Sequence, residues 1–539
     1  MTFGSPFRDV NVPDESVFDF LFADLDSGDS ERPALIDGIS GETITYGQLV
    51  ATIRGVAATL TARGLTVGAV IALYAPNSPA FAAVFHGILR SGCTATTVNA
   101  LYTSDEVAHQ LVDSRASLVF TVSVLAGRAV EAAVSAGLSA TDVVVIDSDD
   151  PLGPTGLEGF IATACETDLD AVHPFFAPSS HIAVLPYSSG TTGRPKGVML
   201  THRNLVANAC QIDRIMGIGR NDRVLALLPF FHIYGMTVLL NAALRRRATL
   251  VTMPRFELAQ FLRTVSDFRC TYLFIAPPLA IALAKHPLVD EYDLDSVHTI
   301  LSGAAPLDAA LGRAVGDRLG CRVRQGYGMS EMSPVSHAIP AECDDISLAS
   351  VGYTVPNMQC KLLDPQSGAE IEIPDVGISA PGELCCRGPN VMAGYLGNPE
   401  ATAAALDADG FLHTGDIATV DSRGVVTIVD RLKELIKYKG YQVPPAELEA
   451  VLLTHPAIAD AAVIGALDHD GEEIPKAFVV RGPGADIDVP AVIAYVAERV
   501  APHKKVRAVE FVDVVPKSST GKILRRELRA RPGNGQEPR

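Results

Sequence analysis

Short β-rich runs alternate with helix-like segments through the first half of this chain. Val70–Tyr74 has the apolar, β-branched character of a buried strand, and Ser78 and Pro79 then predict the start of a helix that ends at Gly92. The same strand pattern recurs at residues 118–122, 143–146, 249–253, 272–275 and 298–301. Strands separated by helices pair in parallel and are covered on both faces. The first half therefore predicts stacked α/β subdomains.

The composition and the strand–helix pattern of the sequence change near residue 351. Glycine and proline become frequent, and the short strand patterns at 360–363 and 383–387 have no long helix between them, which predicts a distorted β-barrel over about 350–430. The last hundred residues predict a small α+β unit with a helix whose apolar face carries Val489, Val492, Ile493, Val496 and Val500. We expect a large N-terminal domain over 1–430, a hinge at 431–434, a mobile C-terminal domain over 435–531 and a disordered tail over 532–539.

Composition and charge limit the classes of partner. The 539 residues include 44 basic and 62 acidic side chains, for a net charge of −18, which disfavours nucleic acids and anionic lipid surfaces as partners. The apolar stretch at 224–244 contains Pro229, His232 and Gly235, so it does not predict a membrane span. The nine cysteines show no C-x-x-C spacing, and the N-terminus has no secretory pattern. These features predict a cytoplasmic protein, with a monomer and a homodimer both left open.

One glycine-, serine- and threonine-rich segment carries the strongest chemical signal. It follows the apolar run at 182–185 and reads Tyr187-Ser188-Ser189-Gly190-Thr191-Thr192-Gly193-Arg194-Pro195-Lys196-Gly197. Glycines let backbone N–H groups surround an anion, and hydroxyls and a lysine add donors for phosphate oxygens. The Walker spacing is absent, so the segment predicts a phosphate loop of another type.

This segment resembles the phosphate-binding loop of the adenylate-forming superfamily, which includes acyl-CoA synthetases, firefly luciferase and peptide-synthetase adenylation domains. Further motifs of that superfamily recur in order over nearly the whole chain. They begin at Leu228, Ser302, Gln325, Gly382, Thr414, Asp430 and Pro516. The 431–442 stretch and the 382–388 box are most similar to 4-coumarate–CoA ligases, although the box carries Cys385-Cys386 where isoleucine-type residues are usual in plant forms.

The resemblance implies that ATP, Mg²⁺ and coenzyme A are used to activate a small-molecule carboxylic acid. It implies that Glu331 ligates Mg²⁺, that adenine lies between Gly303-Ala304-Ala305 and Tyr327, and that Asp416 accepts hydrogen bonds from the ribose with help from Arg431. The implied ATP-binding set is Ser188, Ser189, Gly190, Thr191, Thr192, Gly193, Lys196, Gly303, Ala304, Ala305, Gln325, Gly326, Tyr327, Gly328, Ser330, Asp416, Arg431, Lys433 and Lys522. The substrate carboxylate must attack the α-phosphate of ATP, and these two groups are both negatively charged. Bringing them together requires positive charge and alignment more than acid–base chemistry.

The same resemblance implies that the small C-terminal domain serves two steps: formation of an acyl-adenylate with release of pyrophosphate, and then transfer of the acyl group to coenzyme A. Lys522 would bridge the attacking carboxylate and the α-phosphate in the first step. After rotation about the hinge, Lys437 and Gln442 would support attack by the thiol, and Lys439 and Gly440 would line the coenzyme A channel. His232 has the position of a gate beside the acyl-adenylate.

The carboxylate-substrate pocket is predicted by position. Its expected lining residues are Tyr234, Val238, Leu301, Gly303, Gly326, Pro334 and Val335. Leu301 stands where plant forms place a lysine that meets the phenolic oxygen, and leucine cannot donate that bond. The sequence thus favours a hydroxycinnamate or other aryl acid, with a medium- or long-chain fatty acid as the alternative.

Three other functions share parts of this pattern. A peptide-synthetase adenylation domain would need an acidic residue near 231–234, which is absent. A nucleotide sensor would be expected to lack one of Lys196, Glu331, Asp416 and Lys522, and all four are present. A luciferase-like oxygenase uses the same scaffold and stays open.

Overall fold

A computed structural model describes residues 2–147, 156–163, 176–188, 195–439, 441–468, 472–518, 521–531 and 534. Two large mixed sheets, one curled antiparallel sheet and a small C-terminal α+β unit make up the described chain. The predicted fold class is therefore confirmed. None of the described helices has both the length and the apolar character required to cross a bilayer.

The first large sheet, called sheet A, has nine strands. Its central strands run parallel, as the alternation of strands and helices predicts, and antiparallel strands extend both edges. In spatial order the strands are Tyr353–Thr354, Val335–Ala338, Arg322–Gly328, Thr299–Ser302, Tyr272–Ile275, Arg223–Ala226, Thr249–Thr252, Pro33–Asp37 and Thr43–Thr45.

The second large sheet, called sheet B, has a parallel centre that is extended by antiparallel strands toward the phosphate-loop segment. Its path is Gly394–Tyr395, Lys196–Thr201, Ile182–Val184, Thr94–Thr97, Val70–Tyr74, Ala116–Thr121 and Val143–Val145, with Tyr187–Ser188 paired to Lys196–Thr201.

The curled antiparallel sheet, called sheet C, supplies the barrel-like part. It joins a strand from the N-terminus to four strands from the glycine-rich region, in the order Phe3–Gly4, Gln359–Leu363, Gly382–Arg387, Leu412–Val420 and Val426–Arg431.

The C-terminal unit contains a hairpin and a three-stranded sheet. The hairpin strands are Ile436–Tyr438 and Tyr441–Val443, and the sheet strands are Ile458–Leu467, Glu473–Arg481 and Ala508–Phe511. They bury a separate core that includes Leu448, Val463 and Val492.

Helices cover the sheets. Their N-termini use the expected caps: Ser78, for example, accepts a hydrogen bond from the amide of Phe81, ahead of Pro79 at the first helical turn. The α-helices are Val17–Phe22, Ser27–Ser30, Tyr46–Ala62, Pro79–Arg90, Ser104–Ser114, Ala126–Ser135, Leu157–Ala162, His202–Met216, Ala242–Arg245, Leu258–Asp267, Pro277–Lys285, Ala309–Leu319, Pro399–Ala405, Pro445–Leu453, Val489–Ala497 and Arg525–Arg529. A π-helix spans Tyr234–Asn241, and short 3₁₀ turns are Ser123–Leu125, Ala140–Asp142, Pro287–Glu291, Ser330–Met332 and Pro502–Lys504.

Several element predictions shift slightly in the structure. The strand expected at 298–301 is Thr299–Ser302, and the helix Val489–Ala497 ends before Val500. Asn534, which lies in the predicted disordered tail, is buried and its side chain donates to the carbonyl of Leu528. These differences arise because pairing and burial, rather than local propensity, decide where an element ends.

Candidate active site

The ends of the phosphate-loop segment are held together by sheet B. Lys196 pairs with Ser188 across antiparallel strands, so the chain leaves and re-enters the sheet at one point. The Lys196 ammonium lies 5.0 Å from the centre of the Tyr395 ring. Ser189, Gly190, Thr191, Thr192 and Gly193 were predicted to bind phosphate, and they lie outside the described residues.

Glu331 lies beside this point, on the 3₁₀ turn that begins at Ser330. Its Oε1 accepts hydrogen bonds from the hydroxyl of Ser188 at 3.2 Å and from the hydroxyl of Tyr395 at 2.9 Å. Glu331 is 7% exposed and its backbone carbonyl also accepts from the amide of Met392. The carboxylate is thus held in place next to the phosphate-loop segment.

Tyr395 was missed by the sequence analysis. It contacts two predicted site residues, since its ring lies under Lys196 and its hydroxyl bonds Glu331. Burial, followed by the nearby Glu331 carboxylate, raises the pKa of Tyr395. The hydroxyl therefore stays protonated and donates to Glu331.

Tyr395→Phe isolates this hydroxyl. If Glu331 binds Mg²⁺ and the chain releases pyrophosphate from ATP, as the sequence predicts, we expect the Mg²⁺ concentration for half-maximal release to rise about 10-fold, because partners that orient a metal-binding carboxylate typically contribute at this level. The phenyl ring remains under Lys196, so the KM for ATP at saturating Mg²⁺ should change little. Tyr495→Phe is the control, since that hydroxyl contacts Thr454 in the C-terminal unit at 2.8 Å. An unchanged Mg²⁺ requirement in Tyr395→Phe would contradict the role of the Tyr395 hydroxyl in orienting Glu331.

The predicted nucleoside residues come together between sheets A and C. The Tyr327 hydroxyl donates to Asp416 Oδ2 at 2.6 Å, and Arg431 Nε lies 3.3 Å from Asp416 Oδ1. Asp416 and Arg431 are direct partners on adjacent antiparallel strands. Because Asp416 is only 4% exposed, Tyr327 and Arg431 rather than water stabilise its carboxylate.

Thr414 and Gly415 shape the chain ahead of Asp416. The Thr414 hydroxyl donates to the carbonyl of Leu384 at 2.6 Å and accepts from the amide of Asp416. Gly415 has a φ of +69°, a conformation that side-chain-bearing residues rarely adopt. The turn therefore aims Asp416 toward Tyr327.

The predicted adenine loop is positioned by Gln325. The Gln325 side chain accepts from the amide of Leu307 at 2.9 Å and donates to the carbonyls of Leu307 and Leu348. Its polar atoms are thus used to hold the loop that contains Gly303, Ala304 and Ala305. Ala304 is exposed and has a φ of +70°.

Gly328 ends the strand next to this loop. A Cβ at this position would lie 2.1 Å from the carbonyl oxygen of Pro334, so glycine is required there.

Lys522 reaches the site from the C-terminal unit. The preceding Gly521 packs against Ala276 and Pro278 of the large domain, and the Lys522 amide donates to the hydroxyl of Ser518. Burial, followed by repulsion from Arg431, lowers the pKa of Lys522 to about 8, with Asp416 acting in the opposite direction. A positive side chain has therefore been brought into a partly desolvated pocket.

His232 lies within electrostatic range of Lys522. Burial, with the Lys522 ammonium as a second cause, lowers the pKa of His232 to about 4. The imidazole is therefore neutral near pH 7, and its Nδ1 accepts from the amide of Tyr234 at 3.3 Å.

The predicted acid pocket lies between the π-helix and sheet A. Tyr234 donates to the carbonyl of Leu301 at 3.4 Å, and a Cβ on Gly303 would lie 2.8 Å from the Tyr234 ring. Gly326 is half-buried at the end of the strand from Arg322 to Gly328. The other predicted lining residues are buried: Val238, Leu301, Pro334 and Val335.

The predicted hinge is tied to both parts of the chain. Asp430 accepts hydrogen bonds from the amides of Arg431 at 2.7 Å and Ala446 at 2.9 Å, and the Leu432 amide donates to the carbonyl of Gly415. Lys433 is exposed at this turn. Asp430 was predicted only as part of a motif, and its contact with Ala446 was not foreseen.

Two family models match the chain. The model described as "AMP-binding enzyme" matches residues 24–396, and that described as "AMP-binding enzyme C-terminal domain" matches residues 447–522. The chain belongs to the AMP-binding enzyme family.

Relatives of this AMP-binding enzyme match over nearly full length. A protein named 4-coumarate–CoA ligase 1 from Solanum tuberosum is 40% identical over 98% of this chain and 96% of its own length. The structure of anthranilate CoA ligase AuaEII in complex with anthranoyl-AMP has a TM-score of 0.86, 26% identity and coverage of 97% and 98%. ATP-bound MatB from Rhodopseudomonas palustris has a TM-score of 0.85, 29% identity and coverage of 95% and 98%.

The described side chains predicted for thiol attack and the coenzyme A channel lie at the surface of this AMP-binding enzyme. Lys437 and Lys439 are exposed on the C-terminal hairpin, where Lys437 pairs with Gln442 and its amide donates to Glu473. Gly440 and the Gln442 side chain lie outside the described parts. The structure therefore groups the described first-step residues around Glu331 and around Asp416, and it leaves the second-step lysines at the surface.

Proposed function

We propose that this AMP-binding enzyme is an acid–thiol ligase that couples a carboxylic acid to coenzyme A at the expense of ATP. The observation that carries the proposal is that Lys522, from the C-terminal unit, lies close enough to His232, Asp416 and Arg431 for its charge to interact with all three. A cationic side chain at this point can align two anions that otherwise repel each other. The matched 4-coumarate–CoA and anthranilate CoA ligases support the same reaction class.

In the first step, an oxygen of the substrate carboxylate attacks the α-phosphorus of ATP. A new bond joins the acyl oxygen to that phosphorus, the bond to the bridging oxygen of the β-phosphate breaks, and pyrophosphate leaves. Lys522 neutralises charge between the two reactants, while Lys196 and the 188–193 segment hold the departing phosphates. Asp416 and Tyr327 position the nucleoside.

A magnesium ion fits beside Glu331. Carboxylate and hydroxyl oxygens are the donors that Mg²⁺ prefers, and Glu331 and Ser188 provide them 3.2 Å apart. When bound with ATP, the ion would neutralise phosphate charge and improve pyrophosphate as a leaving group. Glu331 would hold it, with Tyr395 orienting the carboxylate.

In the second step, the sulfur of coenzyme A attacks the acyl carbonyl and AMP leaves, so that a thioester replaces the mixed anhydride. We propose that the C-terminal unit rotates about 431–434, which withdraws Lys522 and presents Lys437, Lys439, Gly440 and Gln442 to the pocket. The exposure of Lys437 and Lys439 in the described arrangement supports this division of labour.

An aryl acid is the favoured substrate class. Tyr234 and the buried Val238, Leu301 and Val335 form an apolar wall, and the Tyr234 ring packs directly against Gly303, where a Cβ would lie 2.8 Å from the ring. Leu301 offers no donor for a 4-hydroxyl group, so we expect cinnamate-type acids without that group to be accepted as well as 4-coumarate.

The experiment that tests the function measures pyrophosphate release with cinnamate, 4-coumarate, benzoate, anthranilate and fatty acids, each with and without coenzyme A. We expect one aryl acid to give the highest kcat/KM and coenzyme A to convert a single turnover into many. Activity confined to long-chain acids would overturn the aryl class. No AMP or pyrophosphate with any acid would overturn the function.

We propose that the enzyme is located in the cytoplasm. The eight described cysteines are free thiols, and Cys360 and Cys386 remain unlinked although their sulfurs are 3.6 Å apart. Reduced thiols at this separation fit a reducing cytoplasm.

The lowered pKa of Lys522 predicts a pH profile for the first step. Its pKa of about 8 lies below the ordinary value of 10.5, so raising the pH through 8 removes the positive charge. We expect kcat/KM for pyrophosphate release, measured without coenzyme A, to fall about 10-fold per pH unit above pH 8. Lys522→Arg keeps the charge at high pH and should remove this alkaline limb. The same limb in the Arg variant would assign it to another group.

A further inference from the structure

Three side chains with metal-binding atoms converge on sheet C, outside the nucleotide and acid pockets. Glu383 and Cys385 lie on the strand Gly382–Arg387, and His413 lies on the adjacent strand Leu412–Val420 as the direct antiparallel partner of Cys385. Residues two apart on a strand share a face, so all three side chains meet on one side of the sheet.

The separations between these atoms match a transition-metal site. His413 Nδ1 lies 3.1 Å from Glu383 Oε2 and 3.6 Å from Cys385 Sγ, and the three ligand atoms all lie within 4.8 Å of one another. Zinc bonds of about 2.0–2.3 Å in a tetrahedron place nitrogen about 3.6 Å from sulfur and about 3.4 Å from oxygen. A metal ion can therefore replace the protons now shared by these groups with small side-chain movements.

The residues around the cluster hold His413 in place and leave a route by which a metal ion can enter. His413 Nε2 faces Asp407 at 3.9 Å, and Asp407 is in turn bonded to the Lys361 ammonium at 2.9 Å. A carboxylate behind a ligating histidine holds the ring and its tautomer. The His413 side chain is 30% exposed, whereas Cys385 is fully buried, so an ion would enter past the imidazole.

The charge balance of the cluster also favours a divalent cation. A Cys385 thiolate and the Glu383 carboxylate carry two negative charges, which a divalent ion neutralises, while Lys361 and Asp407 neutralise each other. Burying an uncompensated thiolate would be costly, and a metal ion removes that cost.

We propose that Glu383, Cys385 and His413 form a binding site for one divalent transition-metal ion of borderline-soft character, with Zn²⁺ as the expected occupant and water as a fourth ligand. The site is distinct from the Mg²⁺ position at Glu331, which offers oxygen donors. The site contacts the turn at Thr414 and Gly415 that precedes Asp416, because Glu383 Oε1 accepts a hydrogen bond from the amide of Gly415 at 3.2 Å. A bound ion would fasten two strands of sheet C beneath Asp416.

Cobalt substitution tests the site with a signal that depends on sulfur. Purified full-length protein, with excess Mg²⁺, no nucleotide and a non-thiol reductant, is titrated with Co²⁺. We expect a saturable 1:1 sulfur-to-cobalt charge-transfer band that Zn²⁺ displaces. Cys385→Ser should abolish this band, and His413→Asn should keep sulfur coordination but lower the Co²⁺ affinity at least about 10-fold.

Cys386→Ser is the matched control. Cys386 follows Cys385 on the same strand and is as fully buried as Cys385. Its thiol contacts Cys360 on the other face of the sheet. The band must persist in Cys386→Ser at unchanged affinity. Absence of a sulfur–cobalt band in the parent protein, its persistence in Cys385→Ser, or its loss in Cys386→Ser would each overturn the proposal. Circular dichroism of each variant shows that a lost band does not arise from unfolding.

Discussion

Lys522→Ala should lower the rate of acyl-adenylate formation by about 10²- to 10³-fold, since a preorganised charge that stabilises a transition state typically contributes at that level. The side chain is partly buried within electrostatic range of His232, Asp416 and Arg431, and alanine removes its positive charge. Pyrophosphate release from ATP and an accepted aryl acid, measured without coenzyme A, gives the rate.

The same variant should leave thioester formation from supplied acyl-AMP within about threefold of the parent rate, because Lys522 is withdrawn in the proposed second arrangement. Lys517→Ala is the control on the same loop, since the Lys517 ammonium pairs with Asp460 at 2.7 Å within the C-terminal unit. It should preserve both half-reactions. An equal loss of both half-reactions in Lys522→Ala would refute the division of labour between the two steps.

Glu331→Gln should reduce kcat for pyrophosphate release by about 10²-fold or more, because the change removes the negative charge that would hold Mg²⁺ at the phosphates. Glutamine has the same shape, and its carbonyl oxygen can still accept from Ser188 and Tyr395, so the fold should be retained. Excess Mg²⁺ should restore part of the rate, which a titration of rate against Mg²⁺ measures.

AMP affinity separates this effect from damage to the nucleotide pocket. AMP carries no β- or γ-phosphate, so its Kd in Glu331→Gln should stay within about threefold of the parent value. Glu400→Gln is the matched control, because Glu400 is exposed in the first turn of the helix Pro399–Ala405, close in sequence to Tyr395. A similar loss of activity in Glu400→Gln, or weakened AMP binding in Glu331→Gln, would contradict the metal role.

Much of the fold could be predicted because the relevant information is local. Tyr272–Ile275 is a strand with the predicted bounds, and the helix Pro79–Arg90 starts after the predicted Ser78 cap. Apolar runs and caps act over a few residues, so a linear pattern is sufficient to reveal them. The antiparallel edges of sheets A and B could not be read in this way, since edge pairing depends on which distant segment packs there.

Parts of the site lay beyond prediction for the same reason. Tyr395 follows a glycine in a two-residue strand, and no local pattern indicates that its hydroxyl bonds Glu331 and its ring supports Lys196. Gln325 was predicted to bind ATP, and no local pattern indicates that its side chain also holds the backbone of Leu307 and Leu348. The roles assigned to the 189–193 segment and to the C-terminal hairpin stay predictions.

The sequence by itself determined which groups are available: a hydroxyl- and glycine-rich phosphate segment, a carboxylate that follows a Gly-Tyr-Gly segment, and lysines in the C-terminal unit. These are properties of residue type and short spacing. Only the tertiary structure decided which of the groups meet. Packing of the C-terminal unit against Ala276 and Pro278 places Lys522 by His232, and that burial lowers the pKa of both side chains. Desolvation and charge proximity depend on three-dimensional distance, which linear order does not specify.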